Sequence, residues 1–229
     1  MKTTKIIFAA VLALASAQLS AQVSFGIKAG WNFVNVKTPS IVSEVEQVPD
    51  FKTITTRQFG FVSELELNDH FALQGELLHT GKGFKLNENF DLELFGLPLP
   101  VGAVAVTKVH YLEMPLLAKA KFGNEVVEGY VVAGPTFGYA INGKVTTRAK
   151  VLVEVDLFDT KLDLDAIGYE RFEVGGALGA GMAFKAGNGK LFFDGRYTRG
   201  FTESYDVPLL SEKVQNKGFS LSAGYLYSF

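Results

Sequence analysis

Residues 171–201, RFEVGGALGAGMAFKAGNGKLFFDGRYTRGF, constrain the fold more than any other part of the chain. Apolar side chains recur at every second position on both sides of one short turn, Gly187-Asn188-Gly189. Glycine and asparagine tolerate the positive φ that two-residue hairpin turns require, so the segment predicts two antiparallel strands. Strands of about a dozen residues exceed the usual five or six and fit the roughly 9–11 residues of a tilted membrane strand.

The two faces of this predicted hairpin differ in character. One face is apolar, and the other mixes glycine with charges of both signs. The apolar positions are Phe172, Val174, Leu178, Ala180, Met182, Phe184, Leu191, Phe193 and Tyr197. The charged positions of the opposite face are Arg171, Glu173, Lys185, Asp194 and Arg196. The remaining chain decides whether this pattern belongs to a sheet in water or to a barrel in lipid.

The first residues, MKTTKIIFAAVLALASAQLSAQ, have the pattern of a secretory signal peptide: two lysines, an apolar run over residues 6–15, then small residues. The run is shorter than the roughly 20 apolar residues of a membrane-spanning helix, which argues against an uncleaved anchor. Cleavage after Ala21 is preferred, although Ala15 and Ala17 satisfy the small-x-small rule better and leave cleavage after Ala17 open. The predicted division is therefore a signal peptide at 1–21 and one barrel domain at 22–229.

Composition excludes several classes of protein. The chain has 22 Lys and Arg against 24 Asp and Glu; without Lys2 and Lys5 the balance is 20 against 24, a net charge near −4 that does not suggest nucleic-acid binding. It has no Cys, which removes disulfides and lipid attachment to an N-terminal cysteine. No later stretch approaches 18 uninterrupted apolar residues, so a helical membrane protein is excluded. Twenty Phe, eight Tyr and 24 Gly are typical of strands and turns.

Alternation of apolar and polar residues recurs along the chain and predicts eight strands. Besides the two in residues 171–201, they cover 23–33, 57–68, 70–84, 108–122, 126–141 and 217–229. Pro135 interrupts the fifth and predicts a local bulge, because proline cannot donate to a strand ladder. Residues 142–167 form the longest connection, and its alternating VLVEVDLFD predicts strands that continue beyond the membrane.

The connections between these strands alternate between long and short. Bacterial outer-membrane barrels have even strand numbers, short periplasmic turns and longer outside loops. The sequence therefore predicts an all-β fold, an eight-stranded antiparallel up-and-down transmembrane barrel, with spans 34–56, 85–107, 142–167 and 203–216 outside. A soluble lipocalin-like barrel is the alternative, but it would turn its apolar face inward and its polar face to water.

Seven segments together resemble the small PorT-like, "porin family" outer-membrane barrels common in Bacteroidetes-type bacteria. They are FGIKAGWNF, LQGELLHTGKGFK, YLEMPLLAKAKFG, VVAGPTFGYAI, GALGAGMAF with DGRYTRGF, and SLSAGYLYSF. The resemblance covers the barrel segments of the whole mature chain. It implies a location in the outer membrane and a role in secretion or envelope assembly for some relatives. It implies no catalytic residues, and the name "porin family" does not establish a pore.

The inward parity of the strands collects seven acids and six bases. They are Lys28, Glu64, Glu66, Glu76, Glu113, Lys119, Lys121, Glu128, Arg171, Glu173, Lys185, Asp194 and Arg196. An eight-stranded barrel is wide enough only for its own side chains, and buried charges persist when they are paired. The sequence thus predicts a salt-bridged, filled lumen. The alternative is a cation path through Glu64, Glu113 and Asp194.

The sequence predicts no enzyme: no catalytic residue, no cofactor site and no metal site is assigned. His70 falls at a periplasmic turn, whereas His79 and His110 fall near the outer ends of adjacent strands with outward parity, as in an interfacial girdle. A metal site needs convergent inward ligands, which these histidines do not offer. An acidic group in the longest connection, Asp156, Asp159, Asp163 and Asp165, is interpreted as solvated charge in preference to a weak calcium site.

The predicted partners are outer-membrane lipid and lipopolysaccharide, with no nucleic acid. The last segment ends on Phe229 in register with Tyr227 and Tyr225, which resembles the signal by which barrel-assembly machinery recognises outer-membrane proteins. The predicted role is structural or interactive, through outside loops whose protein partner the sequence does not name. A narrow pore for small solutes and an accessory role in secretion or envelope assembly are the alternatives.

Overall fold

The structure is a computed structural model that describes residues 23–37, 50–94, 97–124, 126–150, 154–166, 169–202, 206–207, 212–213 and 215–228. Its strands are β1 (Val23–Lys37), β2 (Asp50–Lys52), β3 (Ile54–Glu66), β4 (Phe71–Leu94), β5 (Leu97–Gly123), β6 (Val127–Lys150), β7 (Glu154–Leu162), β8 (Phe172–Ala186), β9 (Gly189–Gly200), β10 (Asp206–Val207), β11 (Glu212–Lys213) and β12 (Gln215–Ser228). No helix in the described part of the chain is long and apolar enough to cross a membrane.

Eight long strands close into one antiparallel barrel. β1 pairs with β3 on one side and with β12 on the other. Between these two, the neighbours follow in the order β3, β4, β5, β6, β8, β9 and β12. Each strand therefore pairs with the next long strand in sequence, and β12 returns to β1. The predicted eight-stranded up-and-down barrel is confirmed.

The short connections gather at one end of the barrel. Asn68 Oδ1 accepts hydrogen bonds of 2.9 Å from the backbone N–H groups of His70 and Phe71. Asn124 Oδ1 caps the turn before β6 in the same way, again with two bonds of 2.9 Å. Gly187 opens the turn between β8 and β9 with φ of 62°. Side-chain capping and glycines with positive φ thus make the tight turns that the sequence predicted.

The strands extend further at the opposite end than the sequence predicted. Span 85–107 was expected to be a loop, but β4 and β5 continue pairing through it to Leu94↔Leu97. The predicted extension in the longest connection is confirmed, because β7 pairs with the outer half of β6. β2 adds to the outer part of β4. A taller wall of β2, β4, β5, β6 and β7 therefore stands on one side of the barrel.

The bulge lies elsewhere than predicted. The pairing register does not change between the residues before and after Pro135, either towards β5 or towards β8. The shift in the β5–β6 ladder instead falls between His110 and Tyr111, which pair with Asn142 and Ala140. The additional residue on β6 is Ile141. The β5–β6 ladder omits Pro135 but keeps the same register before and after it, and the register shift lies at the outer end of the barrel instead.

The two faces of the wall settle which side meets lipid. Phe61, Ile27 and Leu178 are 68%, 64% and 62% exposed on the outside, whereas Lys28 and Lys119, on the inside, are each 2% exposed. This is the reverse of a soluble barrel, which excludes the lipocalin-like alternative. Aromatic residues border the exposed apolar belt at the end with short turns, as in membrane barrels. They include Phe25, Phe71, Phe122, Phe184 and Tyr227.

Candidate functional site

The charged side chains of the lumen form three groups along the barrel axis. We call the group nearest the short turns the inner cluster; it consists of Glu64, Glu66, Lys119, Lys121, Glu128 and Lys190. Lys190 Nζ lies 2.9 Å from Glu66 and 3.1 Å from Glu128. Lys121 is 3.1 Å from Glu66, and Lys119 is 2.7 Å from Glu64. Three bases and three acids thus neutralise one another.

The middle of the lumen holds a closed ring of four ion pairs, the central ring, made by Lys28, Glu76, Asp194 and Arg196. Arg196 lies 2.9 Å from Glu76 and 2.7 Å from Asp194. Lys28 bridges the same two carboxylates at 3.4 Å and 3.3 Å. All four side chains are almost fully buried, and this alternation of sign gives each charge two opposite neighbours. Such pairing is what a buried charge requires to remain ionised.

Neutral polar groups complete the central ring. The Gln74 amide donates to Glu76 at 2.6 Å, and the Ser222 hydroxyl donates to Asp194 at 3.1 Å. Gln58 donates in turn to Ser222 at 2.9 Å. These donors lie on β4, β12 and β3, so the ring is tied to strands around the barrel. The arrangement stiffens the lumen at its centre.

The third group, the outer cluster, consists of Lys82, Glu113, Glu173 and Asn216. Lys82 Nζ is 3.1 Å from Glu113 and also contacts Glu173. The Asn216 amide donates to Glu173. Among the described side chains, this cluster holds two acids and one base.

Apolar and aromatic side chains fill the space between and above the clusters. Tyr130, Phe192 and Leu226 belong to one buried group, and Lys119 Nζ lies 3.9 Å from the centroid of the Tyr130 ring. At the outer end Tyr111 packs with Leu164 and Tyr169, and the two tyrosine hydroxyls are hydrogen-bonded. Tyr169 belongs to the connection after β7, which therefore folds back over the lumen. Paired charges and aromatic rings together occupy the lumen.

The segment carrying Tyr169 is held by Arg171, which the sequence placed inside the lumen. Its guanidinium instead donates two bonds of 2.8 Å to the carboxylate of Asp165. Nη1 also donates to the backbone carbonyls of Ala140 and Ile141, at 3.2 Å and 3.4 Å, where the β6 bulge lies. These hydrogen bonds with Arg171 hold the pKa of Asp165 below its ordinary value. Arg171 therefore clamps the returning connection to β6.

Most predicted lumen charges occupy the predicted face. Arg171 is the exception; Lys185 keeps the predicted inward parity, directly opposite Lys190, but is exposed at the short-turn end of the lumen. There it lines a cavity of about 940 Å³ together with Lys121, Glu128 and Lys190. The prediction missed Lys82 and Lys190, although they share the parity of Glu76 and of Asp194. The alternation of polar and apolar residues already places both lysines on the inward face, although neither was among the predicted lumen charges.

The residues considered for cation conduction or metal binding do not converge on one site. Glu64, Asp194 and Glu113, the proposed cation path, lie in three different clusters, each beside a cation. His79 and His110 lie on the outer surface as predicted, stacked with ring centroids 5.2 Å apart. Among the described residues, no group of three potential ligands is placed to hold a metal ion.

The acidic group of the longest connection is only partly described. Asp163 accepts hydrogen bonds from the backbone N–H groups of Asp165 and Ala166, at 3.1 Å and 3.2 Å. The side chains of Asp156 and Asp159 lie outside the described ones, as do Phe229 and both predicted cleavage positions.

A closed eight-stranded wall with lipid-facing aromatics and a charged interior defines a small outer-membrane β-barrel. The family model described as "Outer membrane protein beta-barrel domain" matches residues 16–206, and the chain belongs to this family. Its location is accordingly the outer membrane. No curated protein matches the chain.

Several solved structures are similar to the chain. Ail, the attachment invasion locus protein of Yersinia pestis, is 17% identical over 91% of this chain and 100% of its own, with a TM-score of 0.41. OprG of Pseudomonas aeruginosa is 12% identical over 90% and 95%, with a TM-score of 0.47. AlkL is 16% identical over 91% and 90%, with a TM-score of 0.40.

Proposed function

We propose that the protein is a non-enzymatic interaction barrel whose lumen admits no solute and whose outer strand extensions contact a partner. The observation that carries this proposal is the pairing of the lumen charges. Every acid in the inner cluster, central ring and outer cluster lies within 4.0 Å of a cation. An eight-stranded barrel has little interior beyond what its own side chains occupy.

The taller wall supports a role in recognition. β5 and β6 remain paired as far as Gly102↔Lys150, whereas β8 begins at Phe172 and β9 ends at Gly200. Hydrogen-bonded strands present a surface with less ordering cost than a mobile loop, and rigid scaffolds commonly carry binding residues at their outer ends. The partner proposed for this wall is a protein that the sequence does not name.

Planar-bilayer recording tests the closed lumen. The purified barrel, refolded and inserted into the bilayer, is expected to give no steady conductance. Protection of the β-strands from protease in the same lipid shows that insertion has occurred, and a water-filled porin refolded identically shows that the recording detects an open channel. Steady conductance from the inserted wild-type barrel would favour the narrow-pore alternative.

We also propose that the protein is related to PorT-like proteins, some of which assist secretion or envelope assembly. Under this proposal the signal peptide at 1–21 is cleaved, and barrel-assembly machinery recognises the terminal strand. An affinity-tagged chain purified from its own outer membrane tests the accessory role. A stoichiometric envelope protein retained by wild type, and lost when the outer part of the β4–β5 hairpin is shortened, is the expected result. Retention after shortening would place the contact elsewhere.

A further inference from the structure

A cavity lies at the end of the barrel with short turns. It measures about 940 Å³ and is lined by residues of the three short turns and of the strand ends beside them. Short turns of outer-membrane barrels lie in the periplasm, so this cavity opens towards the periplasm. Ligand pockets measure roughly 300–1,000 Å³, and the cavity therefore has the size of a site for a small molecule or a short peptide.

The inner cluster forms the floor of this cavity. The side chains of Lys190, Glu66 and Glu128 are 23%, 24% and 14% exposed, and Lys190 bridges the two acids. One layer deeper, the side chains of Lys119 and Glu64 are only 1% and 2% exposed. The floor therefore closes the cavity towards the central ring, and the cavity is a pocket and not the entrance of a channel.

Charges of opposite sign lie on opposite sides of the rim of the cavity. Asp69 belongs to the turn between β3 and β4, and Lys185 lies near the end of β8, beside the turn to β9. Both residues are exposed and line the cavity. From one turn to the other, the wall passes through β4, β5, β6 and β8 in one direction and through β3, β1, β12 and β9 in the other. The acid and the base are therefore on diametrically opposite parts of the rim.

We propose that this cavity binds a short periplasmic peptide with a free amine at one end and a free carboxylate at the other. The Asp69 carboxylate can accept charge-assisted hydrogen bonds from the amine, and the Lys185 ammonium group can donate them to the carboxylate. A ligand of one charge only would be repelled from one side of the rim, so the opposed charges favour a dipolar ligand over a simple anion or cation.

Two amide side chains also line the cavity, those of Asn124 and Asn188. An amide group can both donate hydrogen bonds to a peptide and accept them from it, so these residues suit the peptide bonds between the two charged ends. This inference goes beyond the proposed function, which concerns the outer end of the barrel and a closed lumen. Peptide titration and bilayer recording test the two separately.

The test uses the refolded full barrel in nonionic detergent, titrated with trialanine and with trialanine that is acetylated at its amine or amidated at its carboxylate. The variants are Asp69→Asn and Lys185→Gln. Glu170→Gln and Lys161→Gln are the matched controls, because they remove an exposed acid and an exposed lysine at the opposite end of the barrel. The readouts are the apparent Kd from calorimetry and the shift of the Asn188 backbone amide in NMR spectra.

Wild type and both controls are expected to bind trialanine with the same Kd and to show the same shift of the Asn188 amide. An exposed ion pair contributes up to about fivefold to an equilibrium constant, so each variant is expected to bind trialanine up to about fivefold more weakly. Asp69→Asn should not weaken binding of the acetylated peptide further, and Lys185→Gln should not weaken binding of the amidated one, because the matching charge is already absent.

Two results would overturn the proposal. The first is wild-type barrel that binds no trialanine, or that binds the free and both blocked peptides equally. The second is a loss of affinity in the variants that does not depend on which end of the peptide is blocked, because the two charges would then not recognise the two ends.

Discussion

At the scale of single residues, Arg171 decides how the outer end of the lumen is closed. Its guanidinium holds the Asp165 carboxylate and two carbonyls at the β6 bulge. The same short connection carries Tyr169, whose backbone N–H donates to the Leu164 carbonyl at 2.9 Å. A surface ion pair alone contributes little, but a bidentate one that also binds carbonyls fixes the direction of a segment.

Arg171→Gln is expected to raise the pKa of Asp165 towards its ordinary value, because its hydrogen-bonding cation is lost. Carbon NMR of the Asp165 carboxyl during a pH titration measures this change. Since the folded-state pKa is the lower one, the stabilising contribution is present above the ordinary pKa and is lost as pH falls through the folded value. The Tyr169 amide is expected to exchange faster in the variant at neutral pH.

Lys161→Gln is the control, since it removes a neighbouring exposed cation from β7 and leaves the pair with Arg171 intact. An unchanged Asp165 pKa in Arg171→Gln would show that the pairing does not persist in solution.

At the scale of secondary structure, the β8–β9 hairpin shows two different reasons for glycine. Gly187 has φ of 62°, and a Cβ there would meet nothing nearer than the Tyr225 hydroxyl at 3.9 Å. Gly189 lies in the strand, but a Cβ there would lie 2.0 Å from the Leu226 carbonyl oxygen. The first glycine serves the turn conformation, and the second serves the close approach of β12.

Gly187→Ala is therefore expected to lower the free energy of unfolding by about 1–2 kcal/mol, the cost of a left-handed residue with a Cβ. Gly189→Ala is expected to cost more, because backbone of two strands must separate. Urea unfolding in lipid vesicles measures both. Equal costs, or a larger cost for Gly187→Ala, would mean that β9 and β12 do not approach as closely as described.

The outer hairpin of β4 and β5 shows why the predicted strands were too short at this end of the barrel. Span 85–107 predicted a loop because it is rich in Leu, Pro and Gly, and it includes Pro98 and Pro100. They pair with β4 only, since β6 joins β5 from Gly102 onward. Proline is tolerated on a strand with one paired side, so the ladder continues through a composition that resembles a connection.

At the scale of the whole molecule, the central ring couples strands that are distant in sequence. Lys28, Glu76 and Asp194 come from β1, β4 and β9, and Arg196 adds a second residue of β9. Removing one member of a buried ion network leaves a charge without compensation, whereas removing a matched pair does not. The stability of the barrel should therefore depend on the balance of positive and negative charges in the central ring more than on any one of its four residues.

Glu76→Gln is expected to destabilise the barrel by about 3–5 kcal/mol, because Lys28 and Arg196 then share one carboxylate. Lys28→Met combined with Glu76→Gln leaves the Arg196–Asp194 pair and is expected to recover part of that loss. Urea midpoints in vesicles, combined as a double-mutant cycle, give the coupling between the two sites. Additive losses would indicate that water screens the ring.

The sequence by itself determined the class of fold, the side of each strand that meets lipid, and the inward position of Glu76, Asp194 and Arg196. Alternation has a period of two, so local order fixes the face of strand residues wherever no bulge intervenes. The conformational freedom of Gly187 and Gly189 is likewise local, and the turn between β8 and β9 was predicted for that reason.

Only the tertiary structure decided which residues face one another across strands. The opposition of Lys108 to Lys144, the position of the bulge at Ile141 and the clamp of Arg171 on Asp165 depend on pairing register and on how a connection folds back. Register is set by all ladders of a closed barrel together, because closure links strand tilt and stagger around the whole wall. No single segment of the sequence is therefore sufficient to predict the pairing register.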